Sequence, residues 1–292
     1  MPAEAIEIYR SATQADCAER AFVLTAVGVP HEMTPSPEGF SLWVDLEDLE
    51  QARDHLLHYQ QESRPAPPPQ SPAAPQLYAH AWVGSAVYVL VLLGVAMAIG
   101  SGFGRLDAFD AGELNAGLVR HGQWWRAWTA LTLHLDAAHI AANIGAGAWF
   151  GYLAGRLLGP GTAWALVVVG AGVANWIEAL LATADHRSVG ASTAVFTALG
   201  LMAAYSWRER RLIAQRPAQR YGPLFAGVIL LGWLGTSGEH TDIMAHLLGF
   251  AVGGVLGALI ASAGMQRLWR RLPQWLGGAL ALGLLGFAWA CA

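Results

Sequence analysis

The chain contains no lysine: all 17 of its basic residues are arginine, a bias that points to codon usage and to no mechanism. Charge of either sign is scarce. Charged residues make up 13% of the chain and hydrophobic ones 54%, against about 25% charged in ordinary soluble proteins, which argues against a single soluble globule and for several membrane spans. There are two cysteines, Cys17 and Cys291, at opposite ends of the sequence, which excludes a disulfide framework, a cysteine metal cluster and a paired redox motif. Both read as small unpaired thiols. The first 20 residues hold no apolar core, so no cleaved signal peptide is expected, and the first apolar span, near residue 81, should act as an uncleaved insertion signal.

The charge that exists is unevenly spread. Residues 1–64 carry 12 of the 21 acidic residues and read as a small α+β cytoplasmic domain in the order β-α-β-β-α. Strands are expected at 6–9, 32–34 and 40–44, and helices at 13–27 and 46–60. Ala18, Phe22 and Ala26 form the expected inward stripe of the first helix, and Leu49, Leu56 and Leu57 that of the second. About 60 residues bury only a modest core, so an accessory module is expected there, with His31, His55 and His58 solvated. A proline-rich linker, residues 65–80, follows and should be extended at about 3 Å per residue. It separates this domain from a membrane-embedded one, 81–292.

In that second domain, hydrophobic stretches lie near 81–100, 134–155, 161–182, 191–207, 222–237, 243–263 and 274–291, each near the roughly 20 residues that span a bilayer. The expected fold is an all-α polytopic membrane bundle of seven helices. Arg208, Arg210, Arg211, Arg216 and Arg220 lie in one short loop and Arg267, Arg270 and Arg271 in another. The positive-inside rule puts both loops, and the N-terminal domain, in the cytoplasm. Residues 101–133, the 183–190 loop and the C-terminus then lie outside.

Polar residues inside apolar spans are costly and mark function. Ser192 opens the fourth span and His246 the sixth, both at the outer face. Counting 16 residues from Ser192 to Arg208 gives about 24 Å of helix, and 21 from His246 to Arg267 about 31 Å, so the two differ in expected depth by about 7 Å. Gly249, Gly253 and Gly257 make a stripe below His246, and Ala191, Ala194 and Ala198 give the serine helix a thin side, a small-residue pattern that permits close helix packing in lipid. A serine hydroxyl becomes nucleophilic when a base within about 2.6–3.2 Å takes its proton, and His246 is the candidate. His139 and Asn143, four apart on the second span, share a helical face. They suit an oxyanion site, with the backbone N–H of Ser192, or hydrogen bonds that hold the bundle together. A metal reading of His134, Asp136 and His139 fails because their spacing does not share one face. Asn175 and Glu178 lie in the outer half of the third span, where Glu178 is expected to snorkel or bond within the bundle, and His186 and His240 are expected to be solvated loop residues.

Trp125-Arg126, Leu131-Thr132-Leu133-His134, His139-x-x-x-Asn143, Gly190-Ala191-Ser192 and His246-x-x-Gly249-x-x-x-Gly253 follow one another across three spans. In that order they resemble the rhomboid family of intramembrane serine proteases, as found in bacteria, over residues 81–263. The resemblance implies a six-helix core with the seventh helix at 274–291 added. It also implies a Ser192–His246 dyad without an acidic third member, an oxyanion site at His139 and Asn143, and a membrane-inserted outer loop with Trp125-Arg126 as a structural element. It implies transmembrane protein substrates met in the bilayer of the bacterial inner membrane, with no metal, no cofactor and no nucleic-acid partner. No partner of the cytoplasmic domain can be named. Two positions depart from the family pattern: Thr193 follows the serine where a smaller residue is usual, and Gly155 stands where many members have glutamate. The rival functions are a rhomboid-like protein that binds transmembrane helices without cutting them, and a solute transporter, whose midplane polar sites this chain lacks.

Overall fold

A computed structural model describes residues 5–63, 77–101, 108–210, 216–235 and 242–292. The chain divides into two compact units, Met1–Pro72 and Ala73–Ala292. Most of the linker, 65–76, lies outside the described residues, as do Arg211 and His240.

The first unit holds β1 (Ala5–Ser11), α1 (Gln14–Ala26), β2 (Glu32–Ser36), β3 (Gly39–Asp45) and α2 (Leu49–Glu62). The sheet order is β1-β3-β2, antiparallel throughout. Thr13 caps α1 by accepting from the Asp16 N–H, the usual remedy for the unpaired donors of a first turn. Leu49 and Leu56 of α2 pack on the core as expected, but the inward face of α1 and the place of Leu57 differ. Cys17 and Leu24 are fully buried in α1 while Phe22 is 72% exposed, and in α2 Ala52 is buried while Leu57 lies outside. The stripe through Cys17, Ala21 and Leu24 meets the sheet residues Leu42 and Val44, so the packed face is rotated from the one through Phe22 by roughly 100°, one residue of helix.

The second unit is a helix bundle with seven long helices among the described residues: α3 (Trp82–Gly100), α4 (Ala137–Leu158), α5 (Pro160–Leu181), α6 (Ser192–Arg210), α7 (Pro217–Gly235), α8 (Ile243–Ile260) and α9 (Gln274–Cys291). Four of them, α3, α5, α8 and α9, are long and apolar enough to cross a membrane by length and composition. The other three carry arginines, glycines or the polar residues discussed below, which lower their hydropathy. Large apolar side chains face outward, among them Leu90, Met97, Phe225, Ile229, Trp233 and Trp275, a surface suited to lipid and unsuited to water.

Helices α5 and α6 form the interior. In α6, twelve residues from Thr193 to Tyr205 are buried, and it packs against α4, α5, α7 and α8. The Gly159 turn, with Pro160 at the first position of α5, reverses the chain between α4 and α5. On the other flank α9 docks on α5 through Gln274, whose Oε1 accepts from the Thr162 N–H at 3.0 Å. The far end of α9 is tied by Trp289, whose Nε1–H donates to Thr132 Oγ1 at 3.1 Å.

The segment between α3 and α4 is built around Arg126, which is 5% exposed. Its guanidinium donates to Gln123 Oε1 at 2.6 Å, to the Glu113 carbonyl at 3.0 Å and to the Asp110 carbonyl at 2.6 Å. The neighbouring Trp125 Nε1–H donates to the Ala111 carbonyl. The Trp125-Arg126 pair therefore has a structural task here: it fastens a run of short helices and turns whose end carbonyls would otherwise lack donors. Asn175 of α5 donates to the Ala127 carbonyl at 2.9 Å, tying this segment to the bundle. A short antiparallel pair, β4 (Leu114–Asn115) with β5 (Arg187–Ser188), joins this segment to the loop before α6.

Candidate active site

Helices α6 and α8 make the most extensive contact of any helix pair, and glycine is the reason. A Cβ at Gly249 would fall 2.6 Å from the Thr193 carbonyl oxygen, and at Gly253 and Gly257 it would strike the carbonyls of Thr197 and Leu201. The three pairs keep a constant offset of 56 positions, which fixes α6 and α8 as parallel and in register. By that register Ser192 lies level with residue 248, so His246 sits only two residues higher, about 3 Å along the axis. The depth difference expected from counting to Arg267 disappears because α8 stops at Ile260 and the chain turns into a separate helix, Ala263–Trp269. The alanines do not form this contact. Ala191 and Ala194 line a separate apolar cavity of about 350 Å³ with Tyr88 and Trp164.

Ser192, His246, His139 and Asn143 all line one cavity of about 1030 Å³. Ser192 is the first residue of α6, where backbone N–H groups have no partner within the helix and the helix dipole favours negative charge. Just before it, Gly190 has φ +132°, and a Cβ there would lie 2.8 Å from His139 Nε2 and 3.7 Å from Asn143 Nδ2. The backbone conformation and the two side chains both require glycine at this position. His139 and Asn143 thus stand directly beside the turn that delivers Ser192. Asp136 starts their helix by accepting from the His139 N–H at 2.8 Å, and the Tyr88 hydroxyl donates to the Asn143 carbonyl at 2.8 Å, leaving the carboxamide to the cavity.

His246 is 6% exposed, and the Phe196 ring lies against its imidazole, centroids 4.3 Å apart and 35° between planes. Asp242 caps α8 by accepting from the Ala245 N–H at 3.0 Å, placing His246 in the first turn. Thr193 does not line the cavity; its Cγ2 faces Gly249 and its carbonyl accepts from Thr197 Oγ1 at 2.7 Å. Gly155 faces Ala81, where a Cβ would already be 3.3 Å from the Ala81 side chain, so the start of α3 fills the space a glutamate would need.

His134, which belongs to no predicted role, holds the serine turn. Its Nε2 accepts from the Ala191 N–H at 3.4 Å, and its ring meets that of His139 edge-on at 5.0 Å.

Residues 121–263 match the family model of the rhomboid domain. The chain belongs to the rhomboid family. It is 29% identical over 160 residues to rhomboid protease GluP of Bacillus subtilis, covering 55% of this chain and 29% of that protein. It is 31% identical over 142 residues to rhomboid-like protease 2 of Toxoplasma gondii, 47% of each chain. It is also 29% identical over 142 residues to the putative rhomboid protease YdcA of Bacillus subtilis, 48% of this chain and 69% of that one. The match thus spans less than half the length of the first two of these relatives. As a rhomboid with several apolar helices it is a multi-pass membrane protein.

Three residues next to the cavity were not legible as a group in the sequence. Glu178 near the end of α5, His186 in the loop and Asp242 before α8 converge, with His186 Nε2 lying 3.4 Å from Glu178 Oε1 and 3.3 Å from Asp242 Oδ2. Glu178, fully buried, bonds within the bundle, one of the two courses expected of it, and His186 is part-buried against it instead of fully solvated. No spacing rule connects positions 178, 186 and 242; the register of α8 on α6 does.

Proposed function

We propose that this chain is an intramembrane serine endopeptidase that cleaves other membrane proteins at or near their transmembrane segments. The observation that carries this reading is the convergence of Ser192, His246, His139 and Asn143 on one cavity at the starts of parallel helices. His246 takes the Ser192 hydroxyl proton as the oxygen attacks the substrate carbonyl. The oxyanion of the tetrahedral intermediate is met by the Asn143 carboxamide, the His139 ring N–H and the Ser192 backbone N–H. When the intermediate collapses, His246 gives its proton to the leaving amine. A water molecule from the cavity then hydrolyses the acyl-enzyme by the same route reversed. The Phe196 ring against His246 limits imidazole rotation and takes the place of an acidic third member.

Further parts of the reading follow from it. The domains are a cytoplasmic module at 1–64, a linker at 65–80 and a protease domain at 81–292 made of a six-helix core and a seventh span. The protein lies in the bacterial inner membrane with its N-terminus inside and its C-terminus outside. The lateral gate is α7, which packs mainly on α6 and turns Phe225, Ile229 and Trp233 outward. The 183–190 loop, which contributes His186, Ser188 and Val189 to the cavity lining, roofs it. The alternative, a non-catalytic rhomboid-like protein that binds transmembrane helices, drew its support from Thr193, whose side chain faces Gly249 instead of the cavity.

The test is cleavage of a model transmembrane substrate by the detergent-purified chain, with Ser192→Ala and His246→Ala beside the wild type. Both variants should lose all measurable cleavage. Cleavage by Ser192→Ala at the wild-type rate would sink the assignment. A fluorophosphonate probe should label the wild type and spare His246→Ala.

A further inference from the structure

Glu178, His186 and Asp242 offer one ligand atom each, all within 4.8 Å of one another. Glu178 is fully buried and faces His186 and Asp242, both part-buried, and apart from Asp242 its carboxylate has no hydrogen-bond partner among the described residues. Two carboxylates brought together away from water repel each other unless a proton or a cation lies between them. The distances indicate which. Ligands about 2.0–2.1 Å from a tetrahedral ion stand about 3.3–3.4 Å from one another, and the imidazole nitrogen lies 3.4 and 3.3 Å from the two carboxylate oxygens. An imidazole with two carboxylates suits zinc better than calcium or magnesium, which prefer oxygen alone.

We propose that Glu178, His186 and Asp242 bind one zinc ion that clamps the catalytic cavity from the side. The ion joins three elements: the end of α5, the loop that leads to Ser192, and the first turn of α8 that carries His246. Asp242 serves both ends of the link, since its Oδ1 caps α8 while its Oδ2 faces His186. The loop is itself fixed to the outer segment, the Ala116 N–H donating to the His186 carbonyl at 3.1 Å and the Gly117 N–H to the Ala184 carbonyl at 3.0 Å. The remaining coordination position takes a water, since His186 and Asp242 also line the large cavity. The ion touches neither Ser192 nor His246, and the proposal does not rest on the protease reading.

The experiment uses the full-length chain in detergent, freed of any purification tag and dialysed against a weak chelator. Elemental mass spectrometry should find about one zinc per chain. Titration with zinc chloride should raise the melting temperature of the wild type. X-ray absorption should show oxygen and nitrogen ligands at about 2.0–2.1 Å, one of them imidazole. His186→Ala should abolish binding, and Glu178→Gln and Asp242→Asn, the latter keeping a residue able to cap α8, should each weaken it at least tenfold. His55→Ala, in the separate N-terminal unit, should bind zinc as the wild type does. The wild-type measurements stand even if a variant fails to fold. A wild type that retains no zinc and whose melting is unmoved by it overturns the proposal, and so does binding unchanged in folded Glu178→Gln and His186→Ala.

Discussion

Replacing Gly249 by alanine adds one methyl group at the place where α8 lies closest to the serine. The new Cβ would stand 2.6 Å from the Thr193 carbonyl oxygen and 3.3 Å from the Thr193 Cγ2. An ordinary carbon–oxygen contact needs about 3.3–3.6 Å, so one helix must retreat by about 0.8 Å. The oxygen belongs to helical backbone and cannot rotate away. Overpacking of this kind costs about 1–3 kcal/mol, and the gain in helix propensity from glycine to alanine, at most about 1 kcal/mol, offsets only part of it. The larger consequence is geometric: His246 is one turn away and moves with α8. Misplacing a catalytic group by about 1 Å costs on the order of 100-fold in rate. Gly249→Ala should therefore melt a few degrees lower and cut a model transmembrane substrate about 100-fold more slowly.

The control lies on the same helix. A Cβ at Gly254 would meet nothing within 4 Å, so Gly254→Ala should keep both melting temperature and cleavage close to wild type. The assay is steady-state cleavage in detergent, run with thermal unfolding on the same preparations. If Gly249→Ala cuts at the wild-type rate with unchanged melting, the close backbone contact does not set the position of His246. The register argument would then be wrong.

Further outcomes follow from the same contacts. Asn143→Ala and His139→Ala should each lower kcat by about 10²–10³-fold through the loss of one oxyanion donor, while melting temperature moves little; a KM change alone would speak against the oxyanion role. Arg126→Ala leaves the Gln123, Glu113 and Asp110 oxygens without their donor and should destabilise the bundle by about 3 kcal/mol, and Arg126→Lys, lacking the planar fork, should rescue little of it. In the N-terminal unit, Leu24→Ala should cost about 2–5 kcal/mol and Phe22→Ala less than about 0.5 kcal/mol, measured on the full chain by protection of the amides of β1 and β3.

The glycines at 249, 253 and 257 announced a close helix contact because a four-residue repeat of the smallest side chain has no other use in an apolar helix. What the repeat could not tell was the partner face. The thin alanine side of α6 was the natural guess, yet the glycines lie on the carbonyls of Thr193, Thr197 and Leu201, since a glycine needs backbone opposite it, and the threonine side chains can turn aside. Depth failed for a related reason. Arg267 looks like the membrane anchor of α8 in sequence, but a helix end at Ile260 followed by a new helix from Ala263 breaks the count of about 1.5 Å per residue. In α1 the stripe expected through Phe22 gave way to one through Cys17, and Cys17, read as a small unpaired thiol, proved to be part of the core.

The cluster at Glu178, His186 and Asp242 shows where single-helix reasoning ends. Each residue has a sufficient local explanation: a carboxylate near a helix end, a histidine in a loop, an aspartate at a helix cap. The parallel register of α6 and α8 brings position 242 down to the level of the loop before Ser192, and the β4–β5 pairing, with the Ala116 and Gly117 hydrogen bonds, holds that loop in place. The same register sets His246 on the cavity that Ser192 lines. A substitution that shifts α8 along its axis should therefore disturb the proposed dyad and the three-residue cluster together, whereas one that frees the β4–β5 loop should loosen the cluster first, because the glycine contacts of α8 do not pass through it. Breaking the Arg187–Glu113 ion pair at that loop, by Glu113→Gln, distinguishes the two cases: zinc binding should weaken while Gly249 still holds α8 in place.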